Sequence, residues 1–295
     1  MITEIAPAPE RVASEPARRP RGRRPAWDEV PRWHIYLPLS IYLLFTLIPF
    51  YWILLFALRP AGSTSLVPWP MTFDHFEKVW NERAFGTYFQ NSVLVGVATL
   101  VMTTLVALAG GYALARFDFR IKKAFMLALL CTQFVPGALL LVPLFEIFAN
   151  LRMINSLASV VIAETVFQLP LSMILISGFI RNVPFSLEEA AWVDGCNRFT
   201  AFRIVVLPLL RPGLIAVGSF AFVHAWNHFL FALMFLSDQG KQTIPVGLNT
   251  LMSADSVDLG ALAAGGIIAA VPVVIVFAFI QKWLITGFSA GAVKG

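Results

Sequence analysis

Apolar residues follow one another in six long runs along this chain, and short polar segments separate the runs. Each run has at least the roughly 20 residues that an α-helix needs to cross a bilayer. The apolar residues are continuous and do not alternate with polar ones, which is the pattern of spanning helices and not of barrel strands. We therefore predict an all-α membrane protein with six transmembrane helices, at Ile35–Leu58, Val93–Leu114, Ala124–Ala149, Ser159–Phe179, Gly213–Leu236 and Leu259–Trp283.

Residues 184–212, between the fourth and fifth runs, are polar and carry helix signals of their own. Ser186 followed three residues later by Glu189 is the pattern of a capping box, which predicts a helix at Leu187–Asp194. Gly195 can take the left-handed backbone conformation in which many helices end. We therefore expect a helix followed by a sharp turn at this point.

A second short helix is predicted after the turn, at about Arg198–Val206. It should end before Pro208, because a proline disfavours helical geometry at the residue before it, here Leu207. Two short helices joined at a glycine make a compact hairpin outside the bilayer. Such a hairpin has a shape that fits into a groove of a partner protein.

Composition and charge agree with a membrane protein and orient it. Hydrophobic residues make up 58% of the chain and charged residues only 13%, against about 25% charged in soluble domains. Of the 22 Lys and Arg residues, 17 lie in the N-terminal segment, the second and fourth loops and the C-terminus, and five lie in the opposite loops. Because cytoplasmic loops carry the excess of positive charge, both termini and residues 184–212 are expected to be cytoplasmic. The net charge of +5 follows from this topology and gives no reason to expect nucleic-acid binding.

The two ends of the chain differ from the transmembrane domain, residues 35–283. Residues 1–34 are rich in Arg and Pro and cannot form a packed element. We expect a disordered cytoplasmic tail there, whose arginines retain it on that side and contact anionic membrane lipid. Residues 284–295 are expected to form a small, flexible cytoplasmic tail.

The sequence contains no pattern that proposes chemistry on this chain. There is no Gly-rich phosphate loop with its lysine, no metal-ligand spacing, and no pairing of a nucleophile with a base. We therefore expect no enzymatic activity, no metal and no bound cofactor. If ATP drives the protein, another chain binds it.

Residues 184–212 also carry a specific resemblance. Glu189-Ala190-Ala191, three residues, Gly195, nine residues and Val205-Val206-Leu207-Pro208 resemble the EAA loop of permease subunits of binding-protein-dependent ABC importers. The departure is Val205, where the family pattern has an isoleucine, and the difference is one methylene. The resemblance implies that this loop docks onto a cytoplasmic ATPase and couples its motion to the helices. The residues that it assigns to ATPase coupling are Glu189, Ala190, Ala191, Asp194, Gly195, Leu207 and Pro208.

Further motifs resemble the carbohydrate importers of the maltose type, and the smaller, maltose-G-like permease subunit in particular. They are Asn91-Ser92 directly before the second run, Trp226-Asn227 in the fifth, and the ending Gly287–Gly295. The resemblance implies the transmembrane domain of a type I ABC importer, which works by alternating access. The implied partners are a homologous second permease, two copies of a cytoplasmic ATPase that hold ATP and Mg, and an extracytoplasmic solute-binding protein. The implied solute is a sugar, an oligosaccharide or a related polyol.

Polar residues inside apolar helices are costly in hydrocarbon, and they usually face a cavity or a partner. Two of them lie four residues apart on one face of the fourth predicted helix, and His224 shares a face with two others on the fifth. Hydroxyl-rich solutes need hydrogen-bonding groups and aromatic faces of this kind. The same residues could instead join helices through interhelical hydrogen bonds. The candidate solute pathway comprises Glu164, Gln168, Trp226, Asn227 and His228.

An ion-coupled secondary transporter that works alone is the alternative function. It predicts titratable groups deep in the helix bundle, a condition that Glu146 and Glu164 meet. It leaves residues 184–212 without a role, so we favour the importer.

The charge asymmetry predicts the topology, which cysteine labelling can measure in a background without the two native cysteines. A membrane-impermeant maleimide should label Arg152→Cys and Lys241→Cys in intact cells. It should label Arg120→Cys and Arg203→Cys only after the membrane is permeabilised. Labelling of position 203 in intact cells would overturn the orientation and the cytoplasmic location of residues 184–212.

Overall fold

The computed structural model describes residues 33–252 and 257–292, which form helices and connecting turns with no strand among them. The chain divides into two units, residues 1–49 and 50–295. The described part of the first unit is the beginning of helix α1, and the second unit contains all the other helices. The helices are α1 Trp33–Leu58, α2 Asp74–Glu77, α3 Phe85–Arg116, α4 Lys122–Thr132, α5 Leu141–Asn150, α6 Leu157–Arg181, α7 Ser186–Val193, α8 Arg198–Ala201, α9 Leu207–Leu209, α10 Arg211–Asn227, α11 Leu230–Phe235, α12 Ile244–Met252 and α13 Leu259–Ala292.

Four of these helices, α1, α3, α6 and α13, are long and apolar enough to cross a membrane. Two bent pairs of shorter helices also pass the test when each pair is taken as a single span, and the described residues then contain six spans. One pair is Lys122–Thr132 with Gly137–Asn150, and the other is Arg198–Leu209 with Arg211–Asn227. The four single helices correspond to the first, second, fourth and sixth predicted runs, and the first bent pair corresponds to the third. The second pair shares only α10 with the fifth run, Gly213–Leu236, because its first half, Arg198–Leu209, precedes that run.

The third apolar run, predicted as one helix at Ala124–Ala149, is broken. α4 ends at Thr132, and the helical parts before and after the break are bent by 96°. Pro136 lies in the break and is not helical (φ −59°, ψ 127°). Proline lacks the amide hydrogen of a helical bond and disfavours helix at the residue before it. The prediction of one continuous helix is therefore wrong.

The fifth run, predicted as one helix at Gly213–Leu236, is also interrupted. α10 ends at Asn227, and His228 has an extended backbone (φ −75°, ψ 123°) before α11 begins. Neither proline nor glycine lies at this point, so the local sequence does not explain the break. The side chain of His228 instead contacts a buried carboxylate of α6, and a tertiary contact thus ends the helix.

The remaining differences concern helix ends. α3 begins at Phe85, before the predicted Val93, because residues 85–92 continue the same helix. α13 continues to Ala292, so most of the predicted C-terminal tail, residues 284–295, is helical. The predicted N-terminal tail, apart from its last two residues, and residues 293–295 lie outside the described part of the chain.

α3 and α6 pack closely against each other at Gly111. A Cβ atom on Gly111 would lie 2.7 Å from Cγ2 of Ile176 and 3.1 Å from the backbone nitrogen of Ser177, so only a glycine permits this approach. A buried apolar cluster surrounds the crossing and extends to the residues after α6. Its members are Ala107, Ile176, Ile180, Val183, Val206, Leu210 and Val217.

Polar contacts hold the end of the bundle where α3 and α13 begin. Asn91 donates from Nδ2 to the carbonyl oxygens of Gly240 and Gln242, at 3.1 and 2.9 Å. Lys78 donates from Nζ to Oδ2 of Asp258 at 2.8 Å, and this hydrogen bond keeps the pKa of Asp258 below its ordinary value. The carboxylate of Asp258 therefore stays charged at neutral pH, and its hydrogen bond with Lys78 joins the turn after α2 to the start of α13.

The close approach of α3 to α6 predicts opposite outcomes for two glycine substitutions. Gly111→Ala places a methyl group against Ile176 and should lower the free energy of unfolding by about 1–3 kcal/mol through overpacking. Gly178→Ala on α6 is the matched control, because a Cβ there has no neighbour within 4 Å and alanine favours helix by about 1 kcal/mol over glycine. The melting temperatures of the two purified variants in detergent, compared with that of the wild-type protein, measure both changes in stability. Equal melting temperatures for the two variants would contradict the packing.

Candidate functional site

The segment between α6 and α10 forms a hairpin, residues 184–210, that contains α7, α8 and α9. Gly195 turns the chain between α7 and α8 with a φ of +88°, which confirms the predicted left-handed conformation. Side chains other than glycine rarely adopt this conformation. Asn197 then starts α8, because its Oδ1 accepts a hydrogen bond from the backbone nitrogen of Thr200 at 2.8 Å. The sequence analysis missed this cap.

The predicted capping box at the start of α7 is absent. The residue that precedes the helix is Phe185, which already has helical backbone angles (φ −64°, ψ −29°), and no side chain caps the helix. A capping side chain works from a non-helical residue, so Ser186, inside the helix, is misplaced for this role. Phe185 instead packs edge-on against Trp192, with ring centroids 5.5 Å apart.

The second arm of the hairpin continues further than predicted. Residues 202–206 form a π turn after α8, and the chain remains helical through Pro208. Leu207, expected to leave the helical region, has φ −58° and ψ −41°. Pro208 lies in the first turn of the short α9, where the fixed φ of proline fits helical geometry. The predicted end of helix before Pro208 is wrong for this reason.

A buried ion pair fixes the base of the hairpin to α3. Glu188 is fully buried, and its Oε1 accepts a hydrogen bond from Nε of Arg116 at 2.7 Å. The hydroxyl of Tyr112 donates to Oε2 of Glu188, also at 2.7 Å. Arg116 donates in addition to the carbonyl oxygen of Val183, at 2.9 Å. The hydrogen bonds within this network therefore replace the hydrogen bonds to water that each group loses on burial, as buried charges require.

The residues assigned to ATPase coupling divide between the outside and the inside of the hairpin. Ala191 is buried and Leu207 is half-buried, whereas the other five are exposed. The sequence analysis missed Glu188, which is adjacent to Glu189 in the chain but is buried where Glu189 is exposed. The available signal is weak, since Glu188 is three residues before the buried Ala191 and so shares its face. The exposed members are Glu189, Ala190, Asp194, Gly195 and Pro208.

A groove of about 740 Å³ lies between α6 and α10. Leu171, Leu175 and Phe220 form part of its apolar wall. Its polar side chains include three of the five candidate pathway residues together with His224, and the structure thus brings residues of both helices to one cavity. These polar residues are Gln168, His224, Asn227 and His228.

Glu164 lies behind the groove and does not line it. Its side chain is fully buried, and Oε2 is 3.1 Å from Nδ1 of His224. The Nδ1 atom of His228 lies against the other oxygen, Oε1. Neither Oε1 nor this Nδ1 has a hydrogen-bond partner in the part of the chain that the structure describes. Glu164 therefore holds two residues of the groove.

Trp226 lies away from the groove. It is 2% exposed, and its indole N–H donates to the carbonyl oxygen of Ala269 in α13 at 3.0 Å. Its ring stacks on Phe222, with centroids 5.7 Å apart. Adjacent residues on a helix point in different directions, so Trp226 packs inside the bundle although Asn227 lines the cavity.

Comparison with known proteins identifies close relatives of this chain. Residues 107–289 match the family described as binding-protein-dependent transport system inner membrane component. The chain is 34% identical to the diacetylchitobiose uptake system permease protein DasC of Streptomyces coelicolor, over 84% of this chain and 91% of that protein. It is 33% identical to the melibiose/raffinose/stachyose import permease protein MelC of Bacillus subtilis, over 84% and 91% of the two chains.

The fold also has a counterpart among solved structures. A chain of a bacterial ABC transporter involved in the import of the acidic polysaccharide alginate superposes with a TM-score of 0.72 at 20% sequence identity. The match covers 86% of this chain and 98% of that chain. The predicted fold, an all-α membrane domain of the ABC importer type, is confirmed.

The buried pair at the base of the hairpin predicts a difference between two neighbouring glutamates. Glu188→Gln removes the charge that compensates Arg116 and should lower the free energy of unfolding by about 3 kcal/mol. Glu189→Gln is the control, and its exposed side chain should leave stability within about 0.5 kcal/mol. The double variant Glu188→Leu with Arg116→Met should recover much of the loss, because no charge is then left unpaired. Equal melting temperatures for the two glutamine variants would contradict the anchor.

Proposed function

This chain belongs to the family of binding-protein-dependent transport system inner membrane components, and from this premise we propose its particular role. It is the transmembrane permease subunit of an ATP-driven importer of a sugar, an oligosaccharide or a related polyol. Family membership identifies a multi-pass membrane protein that works with a solute-binding protein, and this excludes the ion-coupled secondary transporter. The diacetylchitobiose and melibiose/raffinose/stachyose systems of its relatives support the class of solute.

The observation that carries the proposed mechanism is the shape of the hairpin 184–210. Its base is pinned to α3 by Glu188 and Arg116, while its far end turns at Gly195 and exposes Glu189 and Asp194. A partner that grips the exposed side moves the whole hairpin, since the buried pair transmits the displacement to α3. The hairpin thereby couples the closing of a cytoplasmic ATPase to rearrangement of the helices.

The partners follow from this mechanism. The excess of basic residues on the hairpin side supports a cytoplasmic hairpin and two cytoplasmic termini. Two copies of an ATPase hold ATP and Mg there, and this chain has no enzymatic activity of its own. A homologous second permease completes the pathway, and a solute-binding protein delivers the solute from the other side of the cell membrane.

The groove between α6 and α10 is the part of the solute pathway that this subunit supplies. Its mixture of apolar wall and hydrogen-bonding side chains matches the mixed surface of a sugar, which has C–H patches and hydroxyl groups. Gln168, Asn227 and His228 contact the solute from the groove, whereas Glu164 acts from behind it. Trp226 stabilises the bundle and does not contact the solute.

Replacement of Gly195 tests the coupling role of the hairpin. We expect Gly195→Val to reduce ATP-dependent uptake at least tenfold at an unchanged level of protein in the membrane, because valine cannot take the positive φ of the turn. The assay uses proteoliposomes that contain this chain with its co-purified permease and ATPase, the solute-binding protein, and radiolabelled diacetylchitobiose, melibiose or raffinose.

Gly62→Val is the matched control for this test. Gly62 also has a positive φ, +78°, and a Cβ there would meet no atom within 4 Å, but it lies in the loop after α1 and not in the hairpin. It should retain ATP-dependent uptake. Wild-type uptake by Gly195→Val would show that the hairpin is a plain connector, and failure of an assembled complex to take up any of the three sugars would contradict the proposed solute class.

A further inference from the structure

His224 of α10 and His228, the residue after α10, both lie against the buried carboxylate of Glu164. His224 and His228 both line the groove, and the Nδ1 atom of each faces a different oxygen of Glu164. Glu164 is fully buried and does not line the groove itself. The two imidazoles therefore separate the carboxylate from the cavity.

This arrangement favours one position for the proton of each neutral ring. An ionised carboxylate only accepts hydrogen bonds, so both Nδ1 atoms must be donors and carry hydrogen. A protonated Glu164 would have one hydrogen for two rings, and at least one Nδ1 would still have to donate. In a neutral ring with hydrogen on Nδ1, the other nitrogen, Nε2, is an acceptor. Within the described residues, Nε2 of neither histidine has a hydrogen-bond partner.

Aromatic neighbours fix the planes of the two rings. His224 and His228 stack on each other with centroids 5.2 Å apart and an angle of 20° between their planes. Phe167 stacks on the other side of His224, at 6.0 Å, and Phe231 packs edge-on against His228, at 4.6 Å. The rings lose little freedom when a ligand binds, because packing has already ordered them.

The charge of the cluster selects among ligands. The residues that line the groove include no Asp, Glu, Lys or Arg. The buried charge of Glu164 disfavours an anionic solute near the histidines, whereas hydroxyl groups can donate to both Nε2 atoms. A polyhydroxylated neutral molecule supplies adjacent hydroxyl groups, and its C–H faces can pack on the apolar wall.

We propose that His224 and His228, oriented by Glu164, form a solute-binding site in this subunit that accepts hydrogen bonds from adjacent hydroxyl groups of a neutral sugar or polyol. The site rests on the proposed function and adds His224 to the side chains of this chain that contact the solute. Glu164 is a positioning residue: it touches no solute and sets the tautomer of the two rings that do.

Nitrogen NMR of the ¹⁵N-histidine-labelled complex in lipid nanodiscs tests the site directly, because a protonated ring nitrogen and an unprotonated one have distinct shifts. The single variants His224→Gln and His228→Gln assign the signals. We expect hydrogen on Nδ1 of both rings in the wild-type protein without sugar. We also expect the two Nε2 signals to shift when the transported member of the three-sugar panel is added at a saturating concentration.

Glu164→Gln tests whether Glu164 sets the tautomers of the two rings, because a purely structural role predicts no change in the tautomers. Its amide nitrogen donates, so one of the two rings must accept at Nδ1 and carry its hydrogen on Nε2. We expect one ring of each tautomer and about a tenfold rise in the half-saturating sugar concentration for uptake, equivalent to the loss of one hydrogen bond of about 1.4 kcal/mol. Glu146→Gln is the control. Glu146 is an exposed carboxylate of α5, and its replacement should change neither the tautomers nor the uptake.

Two results would overturn the inference. One is hydrogen on Nε2 of either ring in the wild-type protein, and the other is an unchanged pair of Nε2 signals in the presence of a sugar that the complex transports. The tautomers are measured without sugar and so test the architecture by themselves. Lack of uptake of all three sugars by an assembled complex would instead contradict the proposed function, and with it the ligand of this site.

Discussion

The ion pair between Glu188 and Arg116 is the contact on which the hairpin and the membrane helices depend together. Both side chains lie in an apolar environment, where a single charge would be severely destabilising and a matched pair is not. Because Arg116 ends α3 and Glu188 belongs to α7, the pair forces the hairpin to follow α3. Tyr112 and the carbonyl group of Val183 each add one further hydrogen bond to the two side chains. The base of the hairpin is thus rigid while its far side is exposed.

The need to compensate a buried charge also determines the structure of the groove between α6 and α10. Glu164 cannot remain charged in the bundle without compensating groups, and the nitrogens that face its two oxygens belong to His224 and His228. To reach the carboxylate, His228 leaves the helical conformation, and α10 ends. One buried carboxylate thereby determines the end of a helix and the orientation of two side chains that line the cavity.

α6 connects these two polar centres. Glu164 lies in its first third, and Val183, which bonds to Arg116, lies two residues after its end. The close approach at Gly111 keeps α6 against α3 between the two ends. A displacement of the hairpin would therefore reach the groove through two closely packed helices. In the proposed importer, this is the path that would couple ATP hydrolysis to solute movement.

The sequence by itself determined the class of protein, the apolar runs, the turn at Gly195 and the resemblance to importer permeases. Each depends on local composition or on a backbone conformation that only certain residues allow. Tertiary structure decided which polar residues are paired: it buried Glu188 and exposed Glu189, and it ended α10 at a histidine with no local signal. A carboxylate in hydrocarbon must find a partner, but a single sequence does not show which partner the packing of distant helices brings within reach.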